Sequence, residues 1–176
     1  MNVYGGKEMA AAFRTVRKNT IQIAEDIPED KYGFVPAPGV KPVGKTLVHI
    51  AISPGLWPEL AKVTTFVGFD FASIRERFAA EEAKTRSKAE IVELLRSEGE
   101  KFATWLESLS DEFLAVGVTD GDGKTVKTRF ERILGGKEHE MHHRGQLMLV
   151  ERQLGITPHL TKQTEERLKQ LRAAKA

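Results

Sequence analysis

Apolar positions recur along this chain at helical spacing. Met9, Phe13, Val16, Thr20, Ile23 and Ile27 step by 4, 3, 4, 3 and 4 residues, which lines them up on one seam of an amphipathic helix. Ile91, Leu95, Glu98, Phe102, Trp105 and Leu109 repeat those steps and predict a second helix. Each spans about 20 residues, roughly 30 Å. Ser87-Lys88-Ala89-Glu90 opens the second helix as a capping box, in which Ser87 accepts from the Glu90 amide and Glu90 reaches back. A third helical pattern starts near Gly44 and carries Leu47, Val48, His49 and Ile50. Pro54 is expected to break or kink it, because proline lacks a backbone donor and crowds the preceding turn. A fourth runs from about Phe130 through Ile133, Leu134, Leu147 and Val150 to Leu154, with Gly155 as its C-terminal cap and Pro158 as its stop.

The connections are long. Four of the seven prolines (Pro28, Pro36, Pro38, Pro42) fall in one stretch, which reads as an ordered, extended linker. Val67, Phe69 and Phe71 alternate after the kinked helix, near Phe66 and Trp57, as pocket lining, a dimer patch or plain core. The Asp-Gly pairs within Val118–Val126 close a small hairpin or form an exposed loop. A calcium loop is excluded there, because Lys124 and Val126 stand where ligands are needed. From Thr161 the chain reads as a short, charged surface helix. Together these elements predict an all-α fold: one domain over 1–176, built as a helical bundle with long connections and a short C-terminal helix.

Composition narrows the chemistry. The 176 residues include no Cys, which removes disulfides, thiolate metal sites and a cysteine nucleophile. That usage suits a reducing cytosol, so a cytoplasmic setting is expected. Lys and Arg number 27 against 25 for Asp and Glu, too even a balance for a nucleic-acid binder. The first eight residues hold no apolar leader, and no stretch approaches the ~18 apolar residues of a membrane span.

Three of the five histidines lie within His139-Glu140-Met141-His142-His143-Arg144-Gly145-Gln146-Leu147. Residues four apart on a helix share a face, so His139 and His143 can converge on one ion. A third ligand must come from another helix, and His49, set among Leu47, Val48 and Ile50, is the donor the sequence offers. Each also has a plainer reading, His49 as a satisfied core histidine above all. His142 lies about 100° round the helix from His143 and reads as a packing or solvent-facing residue. His159, beside Pro158, reads as an exposed loop residue. The segment spells His-Glu-x-x-His, the zinc-protease pattern, which makes Glu140 a formal general-base candidate. Gln146, one turn beyond His143, either orients a bound ligand or is a surface amide. Arg144 is expected in a structural salt bridge. Thr20 and Glu98 interrupt apolar seams; a core-facing Glu either accepts from a ligand histidine's free N–H or ends a seam beside Lys or Arg.

The run ending His142-His143-Arg144-Gly145-Gln146-Leu147 resembles the signature of the DinB/YfiT-like family of metalloenzymes, and Gly44-Lys45-Thr46-Leu47-Val48-His49-Ile50-Ala51 resembles that family's first ligand segment. The layout of helices and linkers is similar over nearly the whole chain. The resemblance implies a four-helix bundle, often a homodimer, with a divalent metal (zinc, nickel or iron) held by His49, His139 and His143. It argues against the protease reading. It also implies a small-molecule substrate and, as in some relatives, a low-molecular-weight thiol as cofactor. Ser53-Pro54-Gly55-Leu56-Trp57-Pro58 departs from the pattern and should reshape the pocket mouth.

Three neutral imidazoles leave coordination positions open, as in catalytic rather than structural sites. An ion there can activate water for hydrolysis or hold a thiol as thiolate for S-transfer. The expected function is therefore a metal-dependent hydrolase or thiol-dependent transferase. The alternative is a non-catalytic metal-binding, stress-response protein.

Overall fold

Capping residues and apolar seams become helices in a computed structural model, which describes residues 4–174. The outermost residues of the expected 1–176 domain, Met1–Val3 included, lie outside that range. In chain order the elements are α1 (Gly6–Asp26), α2 (Val43–Ile52), α3 (Leu56–Leu60), α4 (Phe71–Ala83), α5 (Lys88–Glu107), α6 (Asp111–Ala115), β1 (Gly117–Thr119), β2 (Val126–Thr128), α7 (Arg129–Gln153) and α8 (His159–Ala173). The bundle consists of α1, α2, α5 and α7, with α5 and α7 each packed against both α1 and α2. No helix among the described residues is long and apolar enough to cross a membrane.

Local chemistry sets the helix ends. Ser87 and Thr128 cap α5 and α7 in complete capping boxes with Glu90 and Glu131. Gly155, at φ +77°, ends α7 in the left-handed region that suits glycine. Between β1 and β2 the Asp-Gly segment does close a hairpin, in which Asp122 Oδ1 accepts from the amides of Lys124 and Thr125. The linker after α1 holds a 3-10 turn at Glu29–Lys31 and a second turn in which the Val40 amide donates to the Ala37 carbonyl, with Gly39 at φ +78°.

α1 and α5 run antiparallel. Gly6 lies against the carbonyls of Leu106 and Leu109, Arg17 lies against Gly99 and Leu95, and Lys88 reaches the carbonyls of Glu25 and Ile27. Apolar side chains fill both ends of the bundle. Ile23, Ile27, Leu47, Ile50, Leu95 and Leu147 are buried at one end. Met9, Phe13, Phe102, Leu106 and Ile133 are buried at the other, where the Phe13 and Phe102 rings meet edge to face at 4.8 Å.

Along α1, Arg17 falls between these two sets. Its side chain is 4% exposed and that of its partner Glu140 1%. Nε and Nη2 donate to the two Glu140 oxygens at 2.9 Å each. Nη1 donates to the Leu95 carbonyl at 2.6 Å and Nη2 also to that of Ile50 at 3.1 Å. One guanidinium thus ties α1 to α7, α5 and α2. The Ile50 carbonyl needs such a donor: its helical partner would be the amide of residue 54, and Pro54 has none. Gly99 makes the room, since a Cβ there would lie 2.7 Å from Arg17 Cγ.

One expectation is corrected here. Glu140 is no general base; its carboxylate is committed to Arg17 in the core. Of the two readings of Glu98, the one beside a lysine is found: it is half-buried and pairs with Lys101 at 2.6 Å, while the neighbouring Gly99 faces the core. The α5 seam is therefore Ile91, Leu95, Gly99, Phe102 and Leu106, and the helix stops short of Leu109. Thr20 is buried in α1 and satisfies itself by donating to the Val16 carbonyl.

The C-terminal helix begins two residues earlier than its charge pattern indicates, at His159. His159 is buried rather than exposed, with Nε2 3.2 Å from Asn19 Oδ1. The helix it begins packs on α1, whose Asn19 supplies its polar partner. Arg144, expected in a salt bridge, makes none among the described residues. Glu151, near the end of α7, is fully buried, and neither carboxylate oxygen has a hydrogen-bond partner among the described residues. Burial, and then the nearby Asp26, push it up to about 7.

Removing one partner of a buried ion pair leaves an uncompensated charge. Glu140→Ala should therefore cost about 3–5 kcal/mol in urea unfolding, whereas Arg17→Met with Glu140→Leu should cost clearly less. Glu151 supplies a pH test. Its folded value lies above the ordinary 4.5, so its neutral form favours folding fully below that value, and the benefit is lost as pH rises through about 7. Relative to the native chain, Glu151→Gln should gain on the order of 2–3 kcal/mol between pH 5 and pH 8, read from unfolding midpoints.

Candidate metal centre

Burying Glu140 against α1 fixes how α7 is rotated, and that rotation turns His139 and His143 toward α2. Successive residues on a helix point about 100° apart, and residues four apart share a face. His49 occupies the last turns of α2, where the Ser53 hydroxyl donates to its carbonyl at 2.6 Å. The nitrogens of His49, His139 and His143, one per ring, lie within 4.8 Å of one another. Ring centroids are 4.9 Å apart for His49 with either partner and 4.6 Å for His139 with His143. All three are half-buried.

Outward hydrogen bonds orient two of the rings. His49 Nδ1 donates to Glu82 Oε1 at 2.6 Å, so the neutral ring carries its lone pair on Nε2. His143 Nδ1 donates to Gln146 Oε1 at 2.8 Å, with the same result. The amide nitrogen of Gln146 donates in turn to His142 Nε2 at 3.1 Å. His142 is exposed and outside the cluster. Gln146 thus orients a histidine rather than a bound ligand. His49 Nε2 and His139 Nε2 approach to 3.0 Å, somewhat closer than the roughly 3.4 Å expected of two nitrogens on one tetrahedral ion.

Electrostatics favours neutral rings. Burial first, then the charges of His143 and His49, bring His139 down to about 4. Burial likewise lowers His143, against the opposing bond from Gln146. Burial alone would raise Glu82, but hydrogen bonds from Lys41 and His49 outweigh it and hold the carboxylate below its ordinary range. Neutral imidazoles backed by an acidic acceptor are the form in which histidine binds metal.

Glu82 belongs to α4, which the sequence reading passed over. Its signal is present: Asp70 caps the helix by accepting from the amides of Ala72 and Ser73, and Phe71, Ile74, Phe78 and Glu82 step by 3, 4 and 4. Of the expected aromatic patch, Phe66, Phe69 and Phe71 cluster ring against ring, and Val67 is exposed.

A cavity of about 680 Å3 opens beside His49 and His139, walled by Leu56 and Trp57 on one side and by Phe71, Ile74 and Phe78 of α4 on the other. The departure at Ser53–Pro58 builds the first wall. α2 stops at Ile52, a 3-10 turn follows, and the short α3 carries Trp57 across to α7. There the indole rests on Gly135 and Gly136, where an added Cβ would lie 2.7 and 2.8 Å from it. The two glycines sit about one turn before His139.

Comparison with known proteins follows this geometry. The model of the DinB superfamily matches residues 12–147, which include all three clustered histidines. The chain belongs to the DinB superfamily. Among relatives, the uncharacterized protein YjoA of Bacillus subtilis is 26% identical over 152 residues, covering 85% of this chain and 91% of YjoA. The YjoA crystal structure, described as DinB-like, superposes with a TM-score of 0.64 at 24% identity over 85% of this chain and 93% of that one. YfiT of Bacillus subtilis, described as a probable metal-dependent hydrolase with an unusual four-helix bundle topology, gives 0.68 at 15% identity over 89% and 91%. A mycothiol-dependent maleylpyruvate isomerase gives 0.63 at 12% identity, over 82% of this chain and 61% of its own. These likenesses establish that this DinB chain shares the four-helix bundle fold, as the resemblance of its histidine segments implies.

Placing a methyl group at Gly136 would press on Trp57 and on Phe102 Cζ, 3.0 Å away. Overpacking should outweigh the roughly 1 kcal/mol that alanine gains over glycine in a helix. Gly136→Ala is expected to lose about 1–2 kcal/mol of stability and to shift tryptophan emission as Trp57 moves.

Proposed function

We propose that this DinB-superfamily chain is a metal-dependent enzyme acting on a small molecule, of the hydrolase or thiol-dependent transferase class. His49, His139 and His143 would hold the ion. One observation carries this reading: three imidazoles, two of them oriented from behind by Glu82 and Gln146, converge, and His49 and His139 among them line a ligand-sized cavity. Their all-nitrogen donor set suits zinc, nickel or iron. A cation held there would supply a Lewis acid facing the cavity.

The chain's own groups set up that chemistry. Glu82 holds the proton of His49 at Nδ1 and keeps Nε2 free, and Lys41 holds Glu82 from its other side. Gln146 does the same for His143. The facing walls, Trp57 on one side and Ile74 and Phe78 on the other, exclude water from the two faces of a bound molecule. The class stated for YfiT supports hydrolysis and the mycothiol dependence of the isomerase supports S-transfer. With no Cys in this chain, a thiol would have to enter as a cofactor or co-substrate. A purely storage role needs the histidines but not the cavity, which is why the catalytic reading is preferred over the non-catalytic one.

Purified protein should carry one zinc, nickel or iron per chain, measured by elemental analysis, and His143→Ala should lose it. Chelation should lower the melting temperature by roughly 5–10 °C when metal had been present at about 100 times its Kd. Glu82→Gln should weaken metal affinity by roughly 10–100-fold. Metal-free protein with an unchanged melt in EDTA would overturn the reading. Turnover is tested by presenting ester and amide substrates, and thiols with an electrophile, to the metal-loaded protein, with His139→Ala as control.

A further inference from the structure

We infer that the cavity beside the histidines takes a small molecule with a flat, apolar, ring-sized body and a single anionic donor group directed at the histidine end; this rests on the metal-dependent reading for the anionic group but not for the ring. The volume of about 680 Å3 is that of a small-molecule site. Its walls are aromatic and aliphatic and come from opposite sides: Trp57 and Leu56 from α3, and Phe71, Ile74 and Phe78 from α4. Such facing surfaces select a planar apolar group by stacking and area burial.

The wall formed by Trp57 is pre-set. The notch at Gly135 and Gly136 holds the indole, so its position is fixed by α7, the helix that also carries His139 and His143. Distance from the ring site to the histidines is therefore set within one helix, a pre-organised arrangement.

Charge within the cavity is confined to few groups. Lys41 and Glu82 pair with each other. Arg75 and Glu76, adjacent in α4, also line it and balance in sign. A divalent cation on three neutral imidazoles would then be the unbalanced charge, at the histidine side of a slot whose other charges cancel. An anion is drawn to that side, and a ring trailing from it lies between Trp57 and α4. The ligand class follows: arylalkyl carboxylates, rather than neutral sugars or polyamines.

The test titrates zinc-loaded protein with 3-phenylpropionate, propionate and 3-phenylpropanol, by calorimetry and by Trp57 emission. 3-Phenylpropionate should bind at least about tenfold more tightly than either of the others, the increment expected for burying a ring or pairing a charge. Ala79→Trp, which fills the cavity from an exposed position on α4, should bring phenylpropionate to within about twofold of propionate with an unchanged circular dichroism spectrum. Phe78→Ala, which removes part of one wall, should shrink the same ratio. Equal binding of phenylpropionate and propionate overturns the ring site, and equal binding of phenylpropionate and phenylpropanol overturns the anionic group. Repeating the titration after EDTA separates the two readings. A ring preference that survives in protein unable to bind zinc supports the slot and removes the metal centre; stoichiometric zinc without a ring preference does the reverse.

Discussion

A single buried guanidinium holds this bundle in register. Arg17 satisfies Glu140 on α7, the Leu95 carbonyl on α5 and the Ile50 carbonyl on α2, so all four helices of the bundle are positioned with respect to one group. Buried charges are costly unless both are paired and their remaining donors are met. Here the guanidinium's three nitrogens all find acceptors, and the arrangement tolerates little sliding of any helix. Pro54 and Gly99 belong to the same device: one frees a carbonyl for Arg17, and the other makes space for its stem.

That constraint reaches the histidines by simple helical geometry. Glu140 follows His139 directly, so a carboxylate pulled toward α1 turns the preceding imidazole toward α2. Ile50 follows His49 in the same way, and the grip of Arg17 on its carbonyl fixes the end of α2. The ring cluster is therefore a by-product of core registry, refined by Glu82 and Gln146 on its outer side. Stability and site geometry share residues one position apart.

Much of this was legible in the sequence. Seams of 4 and 3, a capping box before Lys88 and a Gly-Pro stop after Leu154 define α1, α5 and α7, because long amphipathic helices carry redundant signals. His49, His139 and His143 do come together, as their spacing and setting indicate. What stayed hidden depends on pairings distant in sequence. Glu140 reads as a catalytic base when seen beside two histidines, and only its contact with Arg17, 123 positions away, reveals otherwise. Glu98 sits on the written seam, yet packing rotates α5 to present Gly99 instead. His159 follows a proline that would ordinarily mark a loop, but the helix beyond it docks on α1. α4 was passed over because its apolar seam is short and ends in a charge, although Glu82 is the carboxylate that orients His49.

The attachment of α4 has a mechanical consequence. Ile74 is its buried residue and half-buried Phe78 packs on the core, while the rest of its hold on the bundle comes from polar contacts: Glu82 with Lys41 and His49, Arg77 with Glu59, and its final carbonyls with Lys45. Water can replace such tethers at small cost, whereas the apolar interior has no comparable substitute. The side of the cavity built by α4 is thus held by weaker ties than the opposite side, where Trp57 is wedged on two glycines.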